Sequence, residues 1–357
     1  MPRPAPQARA VIVGGGVVGA SVAYHLARLG WAPLLLERHR LTSGTTWHAA
    51  GLIAQLRATA NLTRLARYSQ ELYGRLEEET GQATGFRRVG SITTALTGER
   101  LEELRRSAAM ARAFGVEVEE VAPSEIGRRY PHLNLDGVTG GVYLPRDGQG
   151  DPTGITLALA RGARDAGARV HEGVAVTGFR KRGGRIAAVL WEDAEGPGET
   201  ACEHVALAAG LWSREVGAWA GASVPLQACE HFYAVTEPIA GLGQLPVLRV
   251  PDECAYYKED AGKLMVGAFE PRAKPWAVDA PPRDLPFAEL PPDLDHMMPV
   301  LEKAVARMPL LERAGFRTFF NGPESFTPDN AYHLGPAPEV PNLWVAAGFN
   351  SVGIQSG

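Results

Sequence analysis

Cysteine is scarce: Cys202, Cys229 and Cys254 are the three in 357 residues, and they lie far apart with no C-x-x-C pair. That excludes a disulfide scaffold or a structural zinc site and fits a reducing compartment. An excess of one charge is also lacking. The 36 Lys and Arg against 40 Asp and Glu leave a net charge of −4, with no electrostatic footprint for nucleic acid or an anionic membrane. No apolar run reaches the roughly 18 residues a membrane span needs. The opening MPRPAPQARA has no apolar core of a secretory signal. A cytoplasmic protein is expected, or a mitochondrial-matrix one in a eukaryote. The nine histidines show no metal-ligand spacing such as H-E-x-x-H, so no metal is expected. The dense basic run RKRGGR, Arg180 to Arg185, sits between strand-like runs and reads as a solvated hairpin turn.

What is present begins with a dinucleotide fingerprint. In RAVIVGGGVVGASVAYHLARLGWAPLLLERHR an apolar strand ends at Val13, and Gly14, Gly16 and Gly19 form G-x-G-x-x-G. Apolar residues at helical spacing then run to Gly30, and a second apolar run, PLLLE, ends at Glu37. The glycines allow a tight turn and close approach of a pyrophosphate to the helix N-terminus, where free amides favour negative charge. A carboxylate ending the second strand accepts hydrogen bonds from ribose hydroxyls. Strand, turn, helix, strand and acid in this order predict binding of FAD or NAD rather than NADP. With 45% hydrophobic residues, the length permits two domains or one large α/β unit with an insertion.

The run LTSGTTWHAAGL, Leu41 to Leu52, follows with no helical or strand periodicity. With the fingerprint, it resembles the N-terminal flavin domain of the sarcosine and dimethylglycine dehydrogenases, members of the D-amino-acid-oxidase-like flavoproteins. The likeness continues through LEEETG, VYLPRDGQGDP, AAGLWSREVG and NGPESFTPD to GFNSVGIQSG, nearly the whole chain. An NAD-dependent dehydrogenase would leave T-W-H-A-A-G-L unexplained.

The resemblance implies FAD bonded covalently from His48 to the 8α carbon of the flavin. A neutral imidazole is a competent nucleophile for such a bond. Matching positions imply further cofactor contacts: Val17 and Val18 at the turn, Glu37 and Arg38 at the ribose, and Val176 at the adenosine. Gly44, Thr45, Thr46, Trp47, Ala49, Ala50, Gly51 and Leu52 would line the ring with His48, and Trp212 would abut the cofactor. Asn350, Ser351, Val352, Gly353, Ile354 and Gln355 would form a final loop near the pyrimidine side.

The fold expected is α/β, a Rossmann-like FAD-binding domain with an inserted mixed or antiparallel β-sheet substrate domain. The cofactor domain would comprise residues 1–89, 145–221 and 317–357, and the substrate domain 90–144 and 222–316. In the latter, PLQACEHFYAVTEP, PVLRVPDECAYYKED and KLMVGAFEP read as successive strands and HMMPVLEKAVARM as a helix. The resemblance places a histidine and a tyrosine over the flavin, here His231 and Tyr256, with Tyr257 on the opposite strand face. Arg57 and Arg249 are the candidates for a substrate carboxylate.

The implied activity is oxidation of a secondary or tertiary N-methyl amine, such as sarcosine or dimethylglycine, by hydride transfer to flavin. A small N-methylated amino acid would be the substrate, and oxygen or an electron-transfer flavoprotein the acceptor. Two departures stand beside this. The chain stops at Gly357, inside a loop that relatives continue into a helix and often a folate-binding half linked to one-carbon metabolism. Either it is a fragment or that helix is missing. LQACEHFYAVT also resembles the regulatory subunit of pyruvate dehydrogenase phosphatase, which would make the chain a non-catalytic flavin-fold subunit. The Trp47–His48 pair argues for the enzyme.

Overall fold

The computed structural model describes residues 3–357. Gln7–Val13 is the centre of an eight-stranded sheet, paired in parallel with Leu34–Glu37 on one side and Gly196–Leu207 on the other. Arg169–Glu172 and Val340–Ala347 extend it in parallel, and His333–Ala337 closes one edge antiparallel. Strands buried on both faces read as continuous apolar runs, which is why AVIV and LLLE show no alternation. Their side chains nevertheless sort with period two. Val11, Val13, Leu34 and Leu36 enter one core, Ile12 and Leu35 the other. The second of these cores is shared with the helices Val17–Arg28, Ala60–Thr80 and Pro152–Asp165. Two of those helices start on side-chain caps: Thr59 accepts from the Leu62 amide, and Asp151, just before Pro152, accepts from the Thr153 and Gly154 amides. The RKRGGR run is the turn of the hairpin Ala175–Arg182 with Arg185–Asp193, Gly183 and Gly184 both taking positive φ.

A nine-stranded second sheet is largely antiparallel and carries Gln227–Thr236 paired along its length with Phe316–Phe326. The second sheet therefore keeps the chain through Phe326, beyond the expected handover at residue 316, because the hydrogen-bonded ladder does not break there. PVLRVPDECAYYKED is split into Val247–Val250 and Ala255–Asp260. Pro251 opens a short 3-10 turn that Cys254 ends in the left-handed conformation. One face of this sheet packs on the helix Leu294–Arg307 through Leu248, Val250, Tyr257, Phe232 and Ala234. The alternate residues Arg249, Tyr256, His231 and Tyr233 line a cavity. A two-stranded ladder, Leu52–Ile53 with Gly148–Gln149, ties the loop after His48 to the segment entering the Pro152 helix. No helix among the described residues is long and apolar enough to cross a membrane.

Candidate active site

The glycine turn packs too closely for any side chain at two positions. A Cβ on Gly14, at φ 108°, would lie 2.4 Å from the Ala208 carbonyl oxygen, and one on Gly19 would lie 1.9 Å from that of Gly14. Glu37 is held from behind, accepting from the Gly15 amide at 2.7 Å and the His39 amide at 2.9 Å. Thr46 Oγ1 accepts from the Val17 amide at 3.1 Å and so brings the TTWHAAG loop to the helix N-terminus.

These elements bound a cavity of about 520 Å³. Gly14, Gly16, Val17, Val18, Glu37, Arg38, Gly44, Thr45, Thr46, Ala49, Val176, Trp212, Asn350, Ser351, Gly353 and Ile354 all line it. Arg38 lies 4.0 Å over the Trp212 ring and donates to the Arg283 carbonyl, while Trp212 Nε1 donates to that of Pro282. The 280–285 segment thus covers the cavity, a feature its proline-rich composition did not announce. Gly19 does not line it, since it packs against the Gly14 carbonyl of the turn.

A second cavity of about 340 Å³ adjoins the first, sharing Ala49, Glu324, Asn350, Ser351 and Ile354 with it. His48, Ala50, Gly51, Leu52, Arg57, His231, Arg249, Tyr256, Val352 and Gln355 face this one, so the latter half of the loop turns away from the glycine turn. Trp47, expected against the ring, lines neither cavity. It sits behind His48, its ring 5.5 Å from His48 and 5.5 Å from Phe320. Its indole packs against Phe287 and Phe320 instead, and His48 faces the cavity.

His48 is 5% exposed, and its Nε2 has no hydrogen-bond partner. Burial pushes its pKa down to about 4, with Glu324 opposing and His231 reinforcing, so the imidazole is neutral at pH 7. A backbone without side chain receives it: a Cβ on Gly322 would lie 2.9 Å from His48 Cε1. His231 Nδ1 donates to Glu270 at 2.9 Å, and the same carboxylate accepts from the Phe232 amide at 3.0 Å. Burial opposes charge on His231, but Glu324 and the bond to Glu270 override it and lift the pKa to about 9. His231 is therefore a cation at neutral pH and a proton donor. Tyr256, raised well above the usual phenol range by burial, crosses Gly267, where a Cβ would meet its ring at 1.8 Å. The register Arg249–Tyr256–Gly267–Tyr233 forms one row across the sheet.

Arg57 and Arg249 share the cavity wall with no salt-bridge partner among the described residues, and Arg57 Nε is buried without a partner. Burial and then Arg57 lower the Arg249 pKa, while Asp147 opposes. Two guanidinium groups with no carboxylate in contact among the described residues form a site for an anion. The unpartnered His48 nitrogen, the side-chain-free turn and the cavity that adjoins the one His48 faces fit a flavin dinucleotide. Glu270, Gly322, Phe320, Gly267 and Glu324 escaped the sequence reading. Glu324 lay in the quoted NGPESFTPD, but nothing local marked which of its side chains faces a cavity.

Residues 9–357 match the family described as FAD dependent oxidoreductase. The chain is 42% identical over 348 residues to 4-methylaminobutanoate oxidase (formaldehyde-forming) of Paenarthrobacter nicotinovorans, covering 97% of this chain and 42% of that protein. It is 40% identical over 357 residues to the mitochondrial sarcosine dehydrogenase of Mus musculus, covering 98% and 38%. The chain thus spans about two fifths of the length of these curated relatives. The solved L-proline dehydrogenase from P. horikoshii superposes with a TM-score of 0.88 at 23% identity, covering 99% of this chain and 91% of that one, a likeness of fold alone.

Proposed function

The chain belongs to the FAD-dependent oxidoreductase family, and from that premise we propose that it oxidises a small N-methylated amino acid of the sarcosine or dimethylglycine kind. One arrangement carries the reading. Arg57 and Arg249, without a carboxylate partner, face the same cavity as His231 and Tyr256, and that cavity abuts the nucleotide cradle beside His48. The first sheet and its helices would hold the cofactor, and the second sheet the substrate.

When bound, flavin supplies the two-electron acceptor for the C–H bond beside the amine nitrogen, by hydride transfer. Glu37 and the glycine turn would hold its ribose and pyrophosphate. His48, neutral and unpartnered, would bond the flavin covalently. The guanidinium pair would fix the substrate carboxylate and so aim the N-methyl end at the junction of the two cavities. Tyr256 would orient the amine group by accepting from it, and the His231 cation, able only to donate, would order the wall beside it through Glu270. The 280–285 segment would keep water from the cradle.

Two measurements test this. Flavin should remain with acid-precipitated protein and be released by His48→Ala. Anaerobic sarcosine or dimethylglycine should bleach the oxidised flavin band without nicotinamide. Flavin that washes out fully in acid refutes the covalent bond. A flavin-loaded protein that no N-methyl amine bleaches refutes the oxidation and favours the non-catalytic subunit.

A further inference from the structure

Three carboxylates, Glu230, Glu270 and Glu324, stand on the wall of the second cavity. Two are already engaged. Glu230 accepts from Asn321 Nδ2 at 2.6 Å and lies 3.2 Å from Lys274 Nζ. Glu270 is held by His231 Nδ1 and the Phe232 amide. Glu324 is different. It is 9% exposed, its Oε2 is buried, and it has neither a hydrogen-bond nor a salt-bridge partner among the described residues. It lines both cavities, so it stands where cofactor space and substrate space meet.

A carboxylate removed from water without a donor is costly, and a donor arriving with a ligand relieves that cost. Charge counting around the cavity says what the ligand carries. At contact distance His231 pairs with Glu270, while Arg57 and Arg249 meet no carboxylate and Glu324 meets no cation among the described residues. Glu324 acts on His231, and Asp147 on Arg249, only from beyond salt-bridge distance. An amino acid zwitterion fills both vacancies at once, in one orientation.

We propose that Glu324 is the substrate-binding residue that receives the ammonium group, opposite the guanidinium pair that receives the carboxylate. This rests on the amine-oxidising reading above and adds to it the polarity of the pocket. Because Glu324 borders the cofactor cavity, it anchors the nitrogen at the end of the substrate where the reacting C–H bond lies. It also accepts the ammonium hydrogen bond that His231, itself a donor, cannot accept.

The test uses the flavin-loaded protein and two ligands that cannot be oxidised at an amine: acetate, which has only the anion, and N,N,N-trimethylglycine, which adds a permanent cation. Binding is read from the flavin difference spectrum. Trimethylglycine carries the charge but no N–H, so it reads the ion pair alone: Glu324→Gln should weaken it roughly ten- to a hundredfold and leave acetate within about twofold. Glu324→Asp, which keeps the charge on a shorter arm, should lose less. Arg249→Gln should weaken both ligands. Equal effects of Glu324→Gln on the two ligands, or none, overturn the proposal. So does a loss of FAD affinity in a His48→Ala background with trimethylglycine binding unchanged, which would assign the carboxylate to the cofactor. If Glu324→Gln loads flavin poorly, the comparison rests on Glu324→Asp, for which unaltered trimethylglycine affinity at full reach loss overturns it equally. A wild-type protein that binds neither ligand and is not bleached by N-methyl amines fails the amine-oxidising reading itself. One that is bleached, with an unaffected Glu324→Gln variant, fails only the role of Glu324.

Discussion

Gly322→Ala isolates the steric condition on His48. The glycine lies in the strand Phe316–Phe326, opposite His231, and its φ is not in the left-handed region, so alanine brings no backbone strain. The added methyl would fall 2.9 Å from His48 Cε1, 3.0 Å from Nδ1 and 2.5 Å from Phe320 Cε1. Carbon atoms rest at about 3.5–4.0 Å, so the rings must retreat by roughly 0.5–1.5 Å. His48 has little room to do so, with Trp47 edge-on at 5.5 Å and Phe320 at 5.1 Å. Overpacking of this kind costs about 1–3 kcal/mol, read as a lower urea midpoint with unchanged slope. A displacement near 1 Å at a reacting atom slows a positioned reaction by about 10²-fold. Flavin-free protein incubated with FAD, acid-precipitated at intervals and assayed for bound flavin should therefore show covalent incorporation slowed by about that factor. Gly322→Ala with wild-type stability and wild-type incorporation would refute the reasoning, since it would mean His48 does not press on this backbone.

Glu37→Gln in a His48→Ala background should weaken FAD by roughly ten- to a hundredfold in a fluorescence titration, because a charge-assisted acceptor at the ribose is lost. For His231, a pKa raised from 6.5 to about 9 means stability fully present below pH 6.5 and lost as pH rises through 9. At 1.36 kcal/mol per unit this is about 3 kcal/mol. Glu270→Gln should shrink that alkaline loss, measured as urea midpoints from pH 6 to 10, and an unchanged profile would remove Glu270 as the partner. Gly267→Ala should destabilise by about 1–3 kcal/mol through collision with the Tyr256 ring, yet cost little in a Tyr256→Ala background. Additive effects of the two substitutions would count against the contact.

The glycine turn and the acid ending the second strand were legible because they are local. Gly14, Gly19 and Glu37 belong to one strand–turn–helix–strand unit, and its geometry follows from glycine sterics and helical periodicity within a short stretch. The alternation of strand side chains likewise separated Tyr256 from Tyr257 before any fold was known. What alternation cannot say is which face meets a cavity, or which strands lie side by side. Only the pairing of Gln227–Thr236 with Phe316–Phe326 sets His231 opposite Gly322 and brings Glu324 to the same wall. Only the packing of the two sheets leaves Glu324 without a donor and the two arginines without an acid in contact among the described residues. Local propensity carries no term for such distant neighbours. The burial and long-range charge that make His48 neutral and His231 a cation exist only once the chain has closed around them.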